Sequence, residues 1–187
     1  MAQTAQPLLV ELDERTRSEE LDRVEPWLAT VATLQATFRK LLEDTVDDVH
    51  EPHLHEGIAD VLAAARAHED QVDDLYRAFG RAPAGRDRLG SVTASLVART
   101  RELVGHVEGL AGGARGNSWR NTRQLLLTNL DSLGGFAVAQ QLGLALGIPA
   151  VVEIAYPIIH RKSEDQLYLQ EVMLEMATNA ILYHRDI

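Results

Sequence analysis

The chain has 187 residues, of which 45 % are hydrophobic, and it contains no cysteine, so disulfides, thiolate catalysis, zinc–thiolate sites and iron–sulfur clusters are excluded. A chain of this length can bury one sizeable core, and we expect a single folded domain. The formal charge of −10, with no basic stripe to offset it, would repel a phosphate backbone, so nucleic acid is not an expected partner.

The N-terminal part of the chain is predicted to be an extension, residues 1–26, with one short helix capped by Ser18. Pro26 is expected to interrupt that helix, because proline disfavours a helical conformation in the residue before it. The first long helix is then predicted over residues 27–49, where apolar side chains recur at steps of three and four.

Three further long helices are predicted from the same spacing of apolar residues. The second covers residues 52–80, and the third carries its apolar face over residues 89–110 before the glycines of the segment AGGARGN. The fourth begins at Asn117, which can cap it, and ends at Gly147.

The last part of the chain is predicted to be a short segment followed by a final helix. Pro149 suits the first turn of the segment, and Pro157 is expected to end or kink it before the final helix over residues 159–183. Long helices of matched length favour antiparallel packing. The predicted fold class is therefore all-α, an antiparallel bundle of long helices, with residues 27–187 as one domain.

The final predicted helix has more apolar surface than one bundle face needs. Its apolar residues form two stripes, one of Leu167, Leu174 and Ile181 and the other of Leu169, Val172, Met173, Met176 and Ala180. We infer that this helix contacts both its own bundle and a second copy of the protein. We therefore expect a homodimer formed through the C-terminal helix.

The compartment is predicted from what the sequence lacks. Residues 1–20 pass directly from a few apolar residues into charge, unlike a secretory signal. The most apolar region, residues 136–159, is interrupted by glycines and prolines, unlike a membrane span. We expect a cytoplasmic protein without membrane contact.

Five residues could belong to a metal site. His68 or Glu69 falls where the apolar stripe of the second helix calls for a buried residue, His160 and Glu164 share one face of the last helix, and Glu43 lies beside the stripe of the first. Imidazole and carboxylate groups are ligands for iron or manganese. The full ligand set of a di-metal bundle, glutamates on two helices and Glu-x-x-His on two others, is not found, so no metal or other cofactor is expected.

A second candidate site lies on the fourth predicted helix. Gly134 and Gly135 narrow that helix, which is compatible either with tight helix packing or with a ligand cleft. If the cleft exists, Tyr156 and Tyr168 are the aromatic residues expected to line it. No catalytic residue is identified.

Two stretches resemble a known family. AHEDQVDDLYRAFGRAP looks like the second helix of ferritin-like stress proteins of the YciE/YciF type, and QQLGLALGIPAVVEIAYPIIHRKSEDQLYL is similar to that family's later portion. The resemblance implies a four-helix ferritin-like bundle that often holds two metals and commonly dimerises. It also implies which positions would carry the ligands, namely Ala64, Ala67, Asn129, Ser132 and the pair His160–Arg161.

Most carboxylates of the family pattern are thus missing, and alanine cannot coordinate a metal. We therefore predict a non-catalytic ferritin-like bundle that acts in stress response or as an interaction protein. One alternative is a di-metal enzyme or metal-storage protein that uses iron or manganese at the five residues named above. The other alternative is a helical protein that binds a small molecule.

Overall fold

The structure, a computed structural model, describes residues 13–83 and 117–185. These residues form four helices and no strand: α1 (Glu14–Val46), α2 (Pro52–Ala78), α3 (Asn117–Ala145) and α4 (Pro149–Ile181). The predicted all-α bundle is confirmed. The third predicted helix, residues 89–110, and the first twelve residues of the predicted extension lie outside the described residues.

Helix α1 begins well before the predicted position. Asp13 caps it, since its carboxylate accepts hydrogen bonds from the Thr16 amide at 2.9 Å and the Thr16 hydroxyl at 3.0 Å. The helix then continues through Pro26, so the predicted interruption there was wrong. Val24 and Leu28 are buried on either side of the proline, and their burial offsets the backbone hydrogen bond that proline removes.

Helix α4 likewise continues through Pro157, and the predicted short segment and final helix are one element. Ala155 and Ile158 flank the proline and are both buried against the bundle. Apolar contacts on the inner face therefore hold the helix together where local preference favours a break. The predicted start of α2 at Pro52 is confirmed, and α3 is helical from Asn117, the first described residue of this part of the chain.

The four helices form a closed ring in which α1 packs on α2 and α3, and α4 packs on the same two helices. Trp27 near the start of α1 donates a hydrogen bond to the Gly135 carbonyl, and Asn121 donates to Asp48 just after α1, so α1 and α3 are antiparallel. Arg81, just after α2, pairs with Asp22 near the start of α1.

Helices α2 and α3 therefore run parallel to each other, since each is antiparallel to α1. The end of α2 and the start of α3 lie at opposite ends of the bundle. The chain between Ala78 and Asn117 therefore links opposite ends of the bundle.

The core consists of two apolar clusters. The Phe38 cluster occupies the end of the bundle where α1 finishes and contains Phe38, Leu41, Leu42, Leu54, Ile58, Leu125, Leu169 and Met176, among others. The Phe136 cluster occupies the end where α1 starts and contains Val24, Leu28, Val31, Leu75, Phe79, Phe136, Val151 and Ile158, among others. Polar side chains lie between the two clusters, at the middle of the bundle.

Candidate functional site

Six buried polar side chains lie at the middle of the bundle, and we call this set the polar layer. All four helices contribute to it: Gln35 from α1, His68 from α2, Asn129 and Ser132 from α3, and Lys162 and Asp165 from α4. Each occupies a position on the inward stripe of its helix, three or four residues from apolar core residues. A polar group placed there requires a partner inside the protein.

Gln35 connects three helices. Its side-chain amide donates to the Ala65 carbonyl of α2 at 2.7 Å, and its side-chain carbonyl accepts from the Ser132 hydroxyl of α3 at 2.8 Å. Gln35 and Ser132 are almost fully buried, so these hydrogen bonds fix the relative heights of α1, α2 and α3.

Lys162 is the least expected member of the layer, because its side chain is 0 % exposed. Its Nζ lies 3.3 Å from Asn129 Oδ1 and 4.2 Å from the centre of the Phe38 ring. Burial disfavours the charged amine and lowers the pKa of Lys162 to about 7, although the carboxylate of Asp165 opposes the shift. A substantial fraction of the amine is therefore neutral near physiological pH.

The side-chain amide nitrogen of Asn129 is also hydrogen-bonded. This nitrogen, Nδ2, donates to the Lys162 backbone carbonyl and to Gln166 Oε1, both at 2.9 Å. With the amide nitrogen engaged by these two acceptors, the amide oxygen is turned toward the Lys162 amine.

Asp165 lies one helical turn after Lys162. Burial raises the pKa of the Asp165 carboxyl, while the hydrogen bond from Arg161 and the charges of Arg161 and Lys162 lower it in part. Arg161 Nε donates to Asp165 Oδ1 at 2.8 Å and Arg161 Nη2 to Asp60 Oδ2 at 2.6 Å, which links α4 to α2. Asp165 Oδ2 is buried and has no hydrogen-bond partner among the described residues.

His68 is neutral at physiological pH. Burial lowers its pKa to about 4, and the positive charges of Lys162 and Arg161 act in the same direction. Its Nδ1 is buried and makes no hydrogen bond within the part of the chain that the structure describes. Two members of the layer thus carry a buried polar atom that no described residue satisfies.

Two of the predicted metal candidates lie away from this layer, in a partly exposed ion-pair network between α1 and α2. Arg39 binds both Glu43 and Glu69, and Arg66 binds Glu43 at 3.1 Å. Burial alone would raise the pKa of Glu43, but the hydrogen bond from Arg66 and the charge of Arg39 lower it below the ordinary value. Both carboxylates already have cationic partners.

The remaining metal candidates are not brought together either. His160 and Glu164 form a 3.7 Å pair on the exposed face of α4, whereas His68 points into the core. In residues 13–83 and 117–185, no group of three or more histidine and acidic side chains is arranged to hold a metal ion.

The two predicted cleft glycines have different surroundings. A Cβ atom at Gly135 would meet Val31 and Leu34 of α1 at 3.5 Å, which is an ordinary van der Waals contact, so α3 packs on α1 here without requiring a glycine. A Cβ atom at Gly134 would meet no atom within 4 Å. The two glycines therefore do not line a common cleft.

The two tyrosines predicted to line the cleft are likewise separated. Tyr156 is 61 % exposed, whereas Tyr168 packs against the Phe38 cluster and its hydroxyl donates to the Leu54 carbonyl at 3.4 Å. An apolar surface groove of about 340 Å³ lies elsewhere, around the turn between α3 and α4. It is lined by Gly143, Leu144, Gly147, Ile148, Pro149, Val152 and Glu153.

The family resemblance placed its ligand positions away from the inner face on α2 and α4, whereas the apolar stripe of α2 predicted a buried residue at His68 or Glu69, and His68 is buried. Ala67 and His160 are exposed and Ala64 and Arg161 are only partly buried, whereas Ala65, His68, Lys162 and Asp165 are buried. The predicted inward positions Asn129 and Ser132 are buried. A signal was available, because Lys162 and Asp165 continue the series from Ile158 to Leu169 at steps of four, three and four.

None of the four described helices contains a stretch long and apolar enough to cross a membrane. Comparison of the chain with protein-family models, with curated proteins and with solved structures found no match. The residues of the polar layer and the exposed helix faces are therefore the features that bear on function.

Proposed function

We propose that this protein is a non-catalytic ferritin-like bundle in which a buried lysine occupies the place of a metal centre, and that it acts as an interaction protein, for example in a stress response. Two features of the backbone support the ferritin-like assignment. The helices form two antiparallel pairs, and the chain between the pairs links opposite ends of the bundle, as the long crossover of ferritin-like folds does.

The spacing of the polar layer supports the same assignment. Di-metal bundles of this class use a glutamate from each of two helices and Glu-x-x-His from the other two, all directed inward. In the present chain, α1 has Gln35 and α3 has Asn129 at single inward positions. Helix α2 has Ala65 followed three residues later by His68. Helix α4 has Lys162 followed by Asp165 at the same spacing. The inward positions have the spacing of such a ligand set, but Asp165 is the one carboxylate among these six residues.

Lys162 is the single observation that carries the proposal. In its charged form the Lys162 ammonium would repel a divalent cation, and in either protonation state the fully buried side chain occupies the centre of the layer. Of the residues facing inward at these positions, only His68 and Asp165 have groups that commonly bind iron or manganese. One histidine and one carboxylate do not make a di-metal site.

Metal analysis tests this proposal directly. After purification without chelator or added metal, we expect iron, manganese and zinc to be far below one equivalent per chain. The di-metal alternative predicts stoichiometric iron or manganese that is lost in His68→Ala. His160→Ala is the matched control, because His160 is exposed and outside the layer; metal lost only in His68→Ala would refute the lysine-for-metal proposal.

The proposed interaction surface is the outer stripe of α4. Leu167, Leu174 and Ile181 are 64 %, 59 % and 47 % exposed, and their seven-residue spacing keeps them on one face of the helix. This face can be buried by the same face of a second copy around a two-fold axis, so the occupant we propose is another molecule of this protein.

Solution mass tests the dimer. We expect the wild-type chain to have twice its monomer mass at tens of micromolar, and Leu167→Lys with Leu174→Lys to be monomeric and folded by circular dichroism. Ala63→Lys with Ala67→Lys adds the same two charges to the exposed face of α2 and should remain dimeric. A monomeric wild-type chain at that concentration would refute this part of the proposal.

A further inference from the structure

The amine of Lys162 and the side-chain amide of Asn129 meet inside the bundle, where both residues are fully buried. We propose that these two side chains join in an isopeptide bond between Lys162 Nζ and Asn129 Cγ, with release of ammonia, so that α3 and α4 become covalently linked at the polar layer. This inference goes beyond the proposed function and concerns the same lysine, whose side chain would still occupy the centre of the layer once it is linked.

The geometry places the reacting groups close together. Lys162 Nζ is 3.3 Å from Asn129 Oδ1, and the amide carbon to be attacked is bonded to that oxygen. Productive approach of a nucleophile requires about 3–3.5 Å between the reacting atoms, here Nζ and Cγ, so rotation about the Lys162 side-chain torsions has to carry Nζ from the amide oxygen to the face of that carbon. The amide is held on its nitrogen by the Lys162 carbonyl and Gln166, while the Phe38 ring covers the amine.

The amine must be neutral to attack. Its enclosure by apolar groups, with a pKa near 7, makes the free amine available at physiological pH. Asp165 lies on the same face of α4 as Lys162, with a buried Oδ2 that no described residue engages and a pKa raised by burial. The proton that Nζ loses passes to the departing Nδ2, which is bonded to the same carbon in the tetrahedral adduct, and the charge of Asp165 favours the positive nitrogen that forms there.

The bond changes balance without an oxidant or reductant. The Nζ lone pair forms a carbon–nitrogen bond to Cγ, the Cγ–Nδ2 bond breaks, and Nδ2 leaves as ammonia with the proton that Nζ has lost. The product is a neutral secondary amide. Because a buried ammonium with one long hydrogen bond is unfavourable, conversion to a neutral amide removes a buried charge from the centre of the bundle.

Intact mass spectrometry of the denatured protein is the test. The wild-type chain should be lighter than its sequence mass by about 17 Da, the mass of ammonia, and Lys162→Met should show no loss. Lys40→Met is the matched control, because Lys40 is an exposed lysine that pairs with Asp44, and it should keep the loss.

Asn129→Asp is the sharpest variant. An aspartate at this position would release water instead of ammonia, so the cross-linked variant should lose about 18 Da and reach the same final mass as the cross-linked wild-type chain. Asp165→Ala should form the bond more slowly, and circular dichroism of each variant confirms that it is folded.

Trypsin locates the bond. Cleavage of an unlinked chain after Arg123, Arg161 and Lys162 gives a peptide of residues 124–161 and one of residues 163–185. In the linked chain Lys162 resists cleavage, and a branched species of residues 124–161 and 162–185 is expected. A wild-type chain at its sequence mass after long incubation in the folded state would overturn the proposal, as would a loss of ammonia that persists in Lys162→Met.

Discussion

The two ends of this bundle and its middle are built on different physical principles. The Phe38 and Phe136 clusters at the ends are apolar and depend on close packing, whereas the polar layer between them depends on directed hydrogen bonds and on charges enclosed by the protein. Apolar packing tolerates many side chains of similar volume. A hydrogen bond between two helices requires a particular partner at a particular position along the bundle axis. The middle of the bundle therefore sets the alignment of the helices.

The largest effect is expected from emptying an apolar cluster. Phe136 is fully buried in the cluster named after it, and Phe136→Ala should lower the free energy of unfolding by about 3–5 kcal/mol, because it removes apolar contacts and leaves a cavity. Urea unfolding followed by circular dichroism measures this loss. Val138→Ala on the exposed side of the same helix is the control and should cost under about 0.5 kcal/mol.

A substitution in the polar layer should lower the free energy of unfolding by less than Phe136→Ala does. The size of the loss should depend on whether the hydrogen-bond partner is still present. Gln35→Leu leaves the Ser132 hydroxyl without its acceptor, and we expect a loss of about 1–3 kcal/mol in the free energy of unfolding. Adding Ser132→Ala removes the orphaned hydroxyl and should recover part of that loss. If Gln35→Leu were as stable as the wild type, the hydrogen bonds of Gln35 would not align the helices as argued.

The stability of the protein should also depend on pH through His68. The pKa of His68 is lowered to about 4 in the folded protein, so below its ordinary value of 6.5 the unfolded chain takes up a proton before the folded one does. Stability should therefore fall as pH decreases from 6.5 to 4, with a contribution from His68 of about 3 kcal/mol.

His68→Leu should remove this contribution and flatten the pH dependence of the urea midpoint over the same range. His160→Leu is the control, because His160 is exposed on α4, and it should leave the curve unchanged. Equal slopes for the wild type and His68→Leu would contradict the buried, neutral state of His68.

The smallest effect is expected outside the core, in the ion-pair network around Arg39. Glu69→Gln breaks one of its pairs, and because these side chains are partly exposed the expected cost is about 0–1 kcal/mol. The difference from the wild type should shrink further in high salt, which screens partly exposed charges. A loss as large as that of Gln35→Leu would remove the contrast between the surface and the polar layer.

Much of the bundle could be predicted because helix formation leaves a local pattern. Apolar side chains at steps of three and four predicted the faces of α1 and α2, and Pro52 marked a helix start that the structure has. The candidate site was harder, because a lysine and an aspartate on an apolar stripe look like an interruption of the pattern. Gln35, Lys162 and Asp165 were therefore not identified in advance.

The sequence by itself determined the helical class and the absence of cysteine chemistry, since both follow from composition and local periodicity. Only the tertiary structure decided that α1 and α4 continue through Pro26 and Pro157, because buried contacts from other helices outweigh the local cost of proline. The tertiary structure also decided which polar side chains face the centre of the bundle. Burial of Lys162 becomes visible only when four helices enclose it, since a lysine is ordinarily expected at the surface.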